Sequence, residues 1–290
     1  MKVVNDFFDY EILDMKDGQK LERWGNVILS RPDPQIIWKS NADKSKWSNI
    51  DAKYDRSNTG GGMWHIYNKS IPTSWQISYK DMIFNLKLMG FKHTGLFPEQ
   101  ACNWDFMMDK IKNANRPIKV LNLFGYTGGA TVACSKAGAE LVVHVDAARG
   151  MVEWAKENAK LSGIENNYIR FLVDDCLKFV EREIRRGNKY DAIVMDPPSY
   201  GRGPSGEVWK LEKNLEELVS RCTLLLSDKP LFFLINAYTT GVSSTVLHNI
   251  LKLTVGKTYG GVVDAGEIGL PISKNDLVLP CGIYGRWQDE

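Results

Sequence analysis

From residue 119 onward, runs of apolar residues alternate with segments whose apolar positions recur every three or four residues. The runs "KVLNLF", "ELVVHV", "YIRFLV", "YDAIVM" and "PLFFLIN" are nearly continuous, which predicts five strands buried on both faces. After each run comes a helical pattern: "TGGATVACSKAGA", "AARGMVEWAKENAKLSG", "DCLKFVEREIRRG", "EVWKLEKNLEELVSRCTLLLS" and "SSTVLHNILKLTV". Gly138 ends the first helix, and Gly163 is placed as the C′ residue of the second. Five βα units in succession, joined by right-handed crossovers, predict a parallel doubly wound sheet with helices on both faces. "YGGVVDAGEIGLP" and "NDLVLPCGIYGRW" break that rhythm and predict two final strands joined by a turn.

Upstream the pattern is shorter and punctuated by turn residues. Residues 26–29 and 35–38 read as two strand-like runs parted by Pro32 and Pro34. A third apolar run lies between the glycines of "NTGGG" and Pro72. The expected division is a small β-rich module over residues 1–78 and an α/β domain over residues 79–290.

Composition narrows the class. A chain of 290 residues with 43 % hydrophobic and 25 % charged residues suits one large or two smaller globular domains. No apolar run approaches the ~20 residues of a membrane span, and acids interrupt the N-terminal "MKVVNDFFDYEILD", so a cytoplasmic protein is expected. Cys102, Cys134, Cys176, Cys222 and Cys281 form no C-x-x-C pair and read as reduced thiols. The histidines also stand apart, and no metal site is expected. A formal net charge of +2 announces no whole-chain field for nucleic acid, and residues 1–116 hold 17 basic against 14 acidic side chains.

In a sheet of this kind the ligand lies beyond the carboxyl ends of the strands. Those ends carry residues 122–129, Asp146, Asp174 with Asp175, Asp196 with Pro197 and Pro198, and Asn236. In "VLNLFGYTGGAT" the glycines fall at Gly125, Gly128 and Gly129, which is not the G-x-G-x-x-G spacing of a dinucleotide turn. Glycines allow a backbone to approach a ligand closely, and a helix starting near Thr127 would aim its free N–H groups at a phosphate or carboxylate. Asp146 lies 21 residues after Gly125, where a carboxylate can take both hydroxyls of a ribose. A nicotinamide dinucleotide and S-adenosylmethionine both suit such a crevice, and the missing pyrophosphate spacing favours the second. The prolines of Asp196-Pro197-Pro198 stiffen the loop leaving the fourth strand and leave the carbonyls of Asp196 and Pro197 as acceptors for an amino group. Tyr200 is placed to stack on a base.

"VLNLFGYTGGATV" resembles the first motif of class I S-adenosylmethionine-dependent methyltransferases, in the N-x-F-x-Y-T-G-G form of bacterial 23S ribosomal RNA base methyltransferases. "FKHTGLFPEQACNWDFM" is similar to the T-G-x-F-x-x-Q element that precedes the catalytic domain there. "VVHVDAARGMVEWAKENAKLSGI", "YDAIVMDPPSYGRG", "GEIGLP" and "LVLPCGIYGRW" resemble the ribose-binding strand, the D-P-P-x-[FY] motif and the closing hairpin. The resemblance covers roughly residues 80–290 and implies a Rossmann-like sheet with an antiparallel last strand, S-adenosylmethionine as cofactor, and methyl transfer. It also implies cofactor contacts at Asn122, Phe124, Gly125, Tyr126, Thr127, Gly128 and Gly129. Asp146 is then expected at the ribose and Asp175 at the adenine amino group, with Phe97 and Gln100 closing over the cofactor and Asp174 as the cap of the next helix. Asp196, Pro197, Pro198 and Tyr200 are the implied catalytic residues.

Ser199 stands between the prolines and Tyr200, where amino-group methyltransferases place an aromatic directly. The segment after the fifth strand, "LINAYTTG", lacks the cysteine that C5-cytosine chemistry needs, and Cys176 and Cys222 fall in helices. Lys178, Arg182, Arg185, Arg186 and Lys189 read as a solvated, dipole-matched helix end, whereas Arg202, Lys210 and Lys213 are better placed for phosphates. The expected substrate is therefore a base of RNA, ribosomal by the family resemblance, whose ring or amino nitrogen attacks the methyl group directly, without a cysteine adduct. The other readings are a methyltransferase of small molecules or proteins and a non-catalytic cofactor-binding regulator, the latter disfavoured by the intact Asp-Pro-Pro motif.

Overall fold

Short apolar runs with tight glycine turns build the N-terminal part of the chain. In the computed structural model, residues 1–39, 45–57, 61–202, 208–273 and 275–289 are described, the Arg202 side chain excepted. The strands here are β1 (Lys2–Val3), β2 (Tyr10–Lys16), β3 (Gln19–Trp24), β4 (Val27–Pro32), β5 (Ala52–Arg56), β6 (Gly62–Ile66), β7 (Trp75–Tyr79) and β8 (Met82–Leu86). Strands β2 to β6 form one sheet in chain order, with β4–β5 parallel and the other pairs antiparallel. Asp17 and Gly18, both at positive φ (49° and 73°), close the β2–β3 hairpin in the geometry that matches strand twist. Leu21, Trp24, Leu29, Tyr54, Ile77 and Phe84 are buried.

Residues 35–38 do not form the strand expected of them. Asp33 and Pro34 make a turn, in which the Asp33 carbonyl accepts the Ile36 N–H at 3.2 Å, and only Ile36 of the run is buried. Residue 78 lies inside β7, and the β7–β8 hairpin groups with the strands before it. The chain divides into two compact units: Lys2–Ala101 with Gly269–Cys281, and Cys102–Ile268 with Gly282–Glu290.

The second unit contains α1 (Ala101–Asn113), β9 (Lys119–Leu123), α2 (Gly129–Lys136), β10 (Leu141–Asp146), α3 (Arg149–Leu161), β11 (Ile169–Val173), α4 (Cys176–Arg186) and β12 (Ala192–Met195). It continues through β13 (Tyr200–Arg202), β14 (Val208–Lys210), α5 (Leu211–Thr223), β15 (Phe232–Ala237), α6 (Ser244–Leu253), α7 (Val255–Tyr259), β16 (Val262–Pro271) and β17 (Val278–Gln288), the last residues of β16 and the first of β17 belonging to the first unit. The large sheet has the order β1-β16-β17-β15-β12-β9-β10-β11. Strands β11, β10, β9, β12 and β15 are parallel, and β17 runs antiparallel to β15. Leu121, Leu123, Val143, Val145, Ile193, Met195, Phe233 and Ile235 fill the centre of the core, which explains why these strands read as unbroken apolar runs. The chain leaves β9 toward β10 on one side and returns to β12 on the other, so the switch point of the sheet lies at the ends of β9 and β12.

Two helices differ from expectation. The segment "EVWKLEKNLEELVSRCTLLLS" is helical only from Leu211, because Val208–Lys210 pairs antiparallel with Tyr200–Arg202. "SSTVLHNILKLTV" ends at Leu253, where the Thr254 hydroxyl bonds the Ile250 carbonyl at 2.7 Å and its backbone leaves helical geometry. Helix α1 was not expected, although Trp104, Met107, Met108 and Ile111 carry helical spacing and are all buried.

Candidate active site

The chain leaves β9 through a turn with an unusual backbone. Phe124 and Tyr126 both have positive φ, 54° and 49°, and Gly128 follows at 87°. Non-glycine residues in this region are strained, and they persist only where surrounding contacts hold them. Those contacts are specific. The Phe124 N–H donates to Cys176 Sγ at 3.3 Å, the Gly125 N–H to the Val145 carbonyl at 3.0 Å, and the Tyr126 N–H to Asp146 Oδ2 at 2.9 Å.

The glycines serve packing within the protein. A Cβ on Gly125 would stand 2.4 Å from the His144 ring, one on Gly128 2.9 Å from Ala155, and one on Gly129 2.8 Å from Trp104. This differs from the expectation that they clear space for a ligand: the clearance is taken by side chains that draw the turn down onto β10, α3 and α1. Beneath the turn, Asn122 Nδ2 donates to Thr131 Oγ1 at 2.9 Å, and Thr131 Oγ1 also contacts His144 Nδ1 at 2.9 Å. Burial pushes the His144 imidazole down to about 3, so it is neutral at physiological pH. The Thr127 carbonyl accepts from Asn158 at 2.8 Å. Asn122 and Thr127 are thus buried supports, while Phe124 and Tyr126 are partly exposed. Sequence reading missed His144 and Thr131, although a histidine inside the apolar run "VVHVD" is the kind of exception that marks a buried polar contact.

Asp146 ends β10 half-buried. Its carboxylate accepts the Tyr126 N–H through Oδ2 and the Ala148 N–H, at 2.8 Å, through Oδ1. Burial raises its pKa, and the two N–H groups oppose that rise. At the next strand end, Asp175 is the N-cap of α4, accepting the Lys178 N–H at 2.9 Å. Asp174 does not cap that helix, as expected of it, but pairs with Arg182. One residue decides this, because Asp175 has the extended backbone a cap requires.

The loop after β12 begins with Asp196, partly exposed, then buried Pro197 and exposed Pro198. The Trp209 indole N–H donates to the Pro198 carbonyl at 2.6 Å, and the Trp209 ring lies 5.3 Å from that of Phe124. Trp209 therefore ties the Asp196 loop to the glycine turn. The helical reading of its segment concealed it. Ser199 contacts the Thr239 hydroxyl at 2.6 Å, and Tyr200 is 52 % exposed on β13. Lys210 and Lys213 are exposed at the start of α5, while the Arg202 side chain lies outside the described residues.

Phe97 and Gln100 belong to the N-terminal unit, where Phe97 precedes the 3-10 turn Pro98–Gln100 and packs 5.1 Å from His93. All five cysteines are free thiols. Cys176 and Cys222 are buried, and burial raises both well above the usual thiol range. Among the described residues no group of three or more His, Cys, Asp or Glu side chains is arranged to hold a metal, and no helix is long and apolar enough to cross a membrane.

Comparison with known proteins agrees with this geometry. The ribosomal RNA large subunit methyltransferase K/L of Shewanella frigidimarina is 34 % identical over 145 residues, 50 % of this chain and 20 % of that protein. The protein of the same name from Shewanella sp. (strain MR-4) is 29 % identical over 184 residues, 61 % of this chain and 23 % of that protein. The match thus spans under a quarter of the length of these curated relatives. The crystal structure of the SAM-dependent methyltransferase from Agrobacterium tumefaciens aligns with a TM-score of 0.95 at 36 % identity, covering 100 % of this chain and 93 % of that one. A Streptococcus mutans structure shares the fold, with a TM-score of 0.71 at 18 % identity over 98 % of this chain and 76 % of that one. Residues 56–247 match the S-adenosylmethionine-dependent methyltransferase family, and the chain belongs to it.

Proposed function

We propose that this methyltransferase acts on an unpaired base of RNA, through direct attack by a ring or amino nitrogen. The observation that carries the reading is the loop Asp196-Pro197-Pro198, fixed by Trp209 and followed by the exposed ring of Tyr200. Relatives named ribosomal RNA large subunit methyltransferases support the substrate class.

S-adenosylmethionine offers a ribose diol, an adenine amino group, a carboxylate and a sulfonium methyl, and the residues present fit the first three. Asp146 presents a carboxylate at a strand end, suited to the diol. Asp175, at the next strand end, is the acceptor for the adenine amino group. The N-terminus of α2 has no side-chain cap, so its first N–H groups suit the carboxylate. Phe124, Gly125, Tyr126, Gly128 and Gly129 line this cradle, with Asn122 and Thr127 holding it from below. When bound, the cofactor supplies a methyl group already activated for transfer.

What the chain must add is alignment. Asp196 and the Pro197 carbonyl accept N–H groups of the base, and the Asp196 carboxylate can take the proton that nitrogen loses. Tyr200 stacks on the ring, while Lys210 and Lys213 meet phosphates. A base inside a duplex cannot reach a stiff loop, so the target is unpaired or flipped out. The buried, protonated thiols of Cys176 and Cys222 favour direct attack over a covalent adduct.

The test is transfer of labelled methyl groups from S-adenosylmethionine to total RNA, protein extract and metabolites by the purified enzyme. A labelled N-methylated nucleoside supports the reading. Label confined to protein or small molecules refutes it, and a complex trapped with 5-fluorocytosine RNA refutes direct attack.

A further inference from the structure

The N-terminal unit carries a basic and aromatic surface that the methyl-transfer reading does not use. Tyr54 pairs with Trp64 and Arg56 with Gly62 across β5 and β6, which places Tyr54, Arg56 and Trp64 on one face. The two aromatic rings lie 5.3 Å apart. The Trp64 indole N–H donates to the carbonyls of Met89 (2.9 Å) and Phe91 (3.2 Å), fixing that segment beside the face. The Phe91 ring is 63 % exposed.

Lys92 follows Phe91 and rests on a charged cluster. Its carbonyl accepts from Arg31 at 3.0 Å, and its Nζ reaches the Pro32 carbonyl at 3.5 Å. The inner cations are answered by acids: Glu22 contacts Arg31 at 2.6 Å and Lys20 at 3.5 Å, and Asp33 contacts Lys20 at 3.2 Å. Buried Glu99 also acts on Arg31. Among the described residues, no carboxylate stands within salt-bridge distance of Lys92 or Arg56. Burial first, then the charges of Lys20, Arg31 and Arg56 against the opposing Asp33, hold Lys92 down at about 8. An added anion would relieve that repulsion.

Unanswered cations beside an exposed ring match single-stranded nucleic acid, whose phosphates meet the charges and whose bases offer a face for stacking. An apolar protein partner would instead desolvate two cations without a counter-charge. We propose that Phe91, Lys92 and Arg56 form a binding surface for a single-stranded stretch of the RNA substrate, with a base stacked on Phe91 and phosphates held by Lys92 and Arg56. This rests on the reading that the substrate is RNA.

The experiment uses the full chain, a fluorescent oligouridylate of about twelve nucleotides and the methyl-labelling assay on total RNA. Phe91→Ala weakens oligouridylate binding about tenfold. The double variant Lys92→Gln/Arg56→Gln lowers the slope of log affinity against log salt by about 1.4, and Lys92→Arg alone preserves it. Thermal unfolding and S-adenosylmethionine affinity stay at the wild-type values in all three. Folded variants with unchanged affinity and slope, alongside wild-type labelling of RNA, overturn this surface and leave the substrate reading intact. A wild-type enzyme that neither binds nor labels RNA overturns both. Loss of binding to phosphatidylserine vesicles with RNA binding untouched would assign the surface to a membrane and also overturn the proposal.

Discussion

Replacing Asp146 with Ala separates two roles of one carboxylate, one seen in the structure and one proposed. The side chain accepts two backbone N–H groups, from Tyr126 at 2.9 Å and Ala148 at 2.8 Å, and it is the proposed partner of the cofactor ribose. Hydrogen bonds to a charged group contribute about 1.5–3 kcal/mol each when buried. Here the position is half-exposed, so water replaces part of the loss, and about 1–2 kcal/mol of stability is expected to go. For a chain of this size that corresponds to a fall in Tm of roughly 2–8 °C. Loss of the ribose contacts should weaken S-adenosylmethionine by about 1–3 kcal/mol, or roughly 5- to 150-fold in Kd. Part of that loss comes through Tyr126, whose positive φ of 49° is no longer held by an acceptor for its N–H. Calorimetric titration of S-adenosylmethionine and its demethylated product, with NADH as a control, reads the binding; differential scanning calorimetry reads the stability. A variant with lowered Tm and an unchanged Kd would show that Asp146 only clamps the turn, and the ribose assignment would be wrong. Micromolar NADH binding by the wild type, with none for S-adenosylmethionine, would refute the reading of the whole crevice.

Asp196→Ala should lower kcat by about 100-fold while the cofactor Kd stays within about threefold, because its proposed role is to align the acceptor; parallel falls in both would make it a cofactor ligand or a structural cap. Trp209→Phe keeps a ring beside Phe124 but removes the N–H that holds the Pro198 carbonyl, so kcat should fall by about 5- to 10-fold, a loss of about 1 kcal/mol, with cofactor affinity retained; unchanged single-turnover rates would show that the loop is stiff without this tie. In the N-terminal unit, burial works to raise the Glu22 carboxyl, but Arg31 and Lys20 overcome it and hold it at about 2, against 4.5 for the ordinary group. Its stabilisation is fully present above pH 4.5 and fades as pH falls through about 2. Glu22→Gln should cost about 3–5 kcal/mol by stranding buried Arg31, and urea midpoints followed from pH 6 to pH 2 should fall less steeply than those of the wild type; a curve parallel to the wild type would remove Glu22 from the account.

The α/β unit was legible because its signals are local. Strands β9, β10, β11, β12 and β15 are buried on both faces, and each reads as an apolar run whatever its neighbours are. The acids at their ends followed from the rule that such sheets bind ligands there, so Asp146 and Asp196 could be named from the chain alone. The same locality hid β14: Val208–Lys210 looks like the start of the helix that follows, and only pairing with Tyr200–Arg202 makes it a strand. The N-terminal strands were mostly missed for a related reason, since each is short and gains its stability from partners distant in sequence.

The chain by itself therefore determined the order of the five buried parallel strands, the fold class and the cofactor class. Tertiary structure decided which atoms do the holding. Whether Asp174 or Asp175 caps α4 depends on one residue's backbone angles, which composition does not encode. That Gly125, Gly128 and Gly129 make room for His144, Ala155 and Trp104 depends on contacts made across α1, α3 and β10. Trp209 joins the two motifs of the site only because a hairpin folds its indole back onto Pro198. Periodicity reports which face of an element is buried; it carries no information about which distant side chain will fill the space, because close packing is set by the whole fold at once.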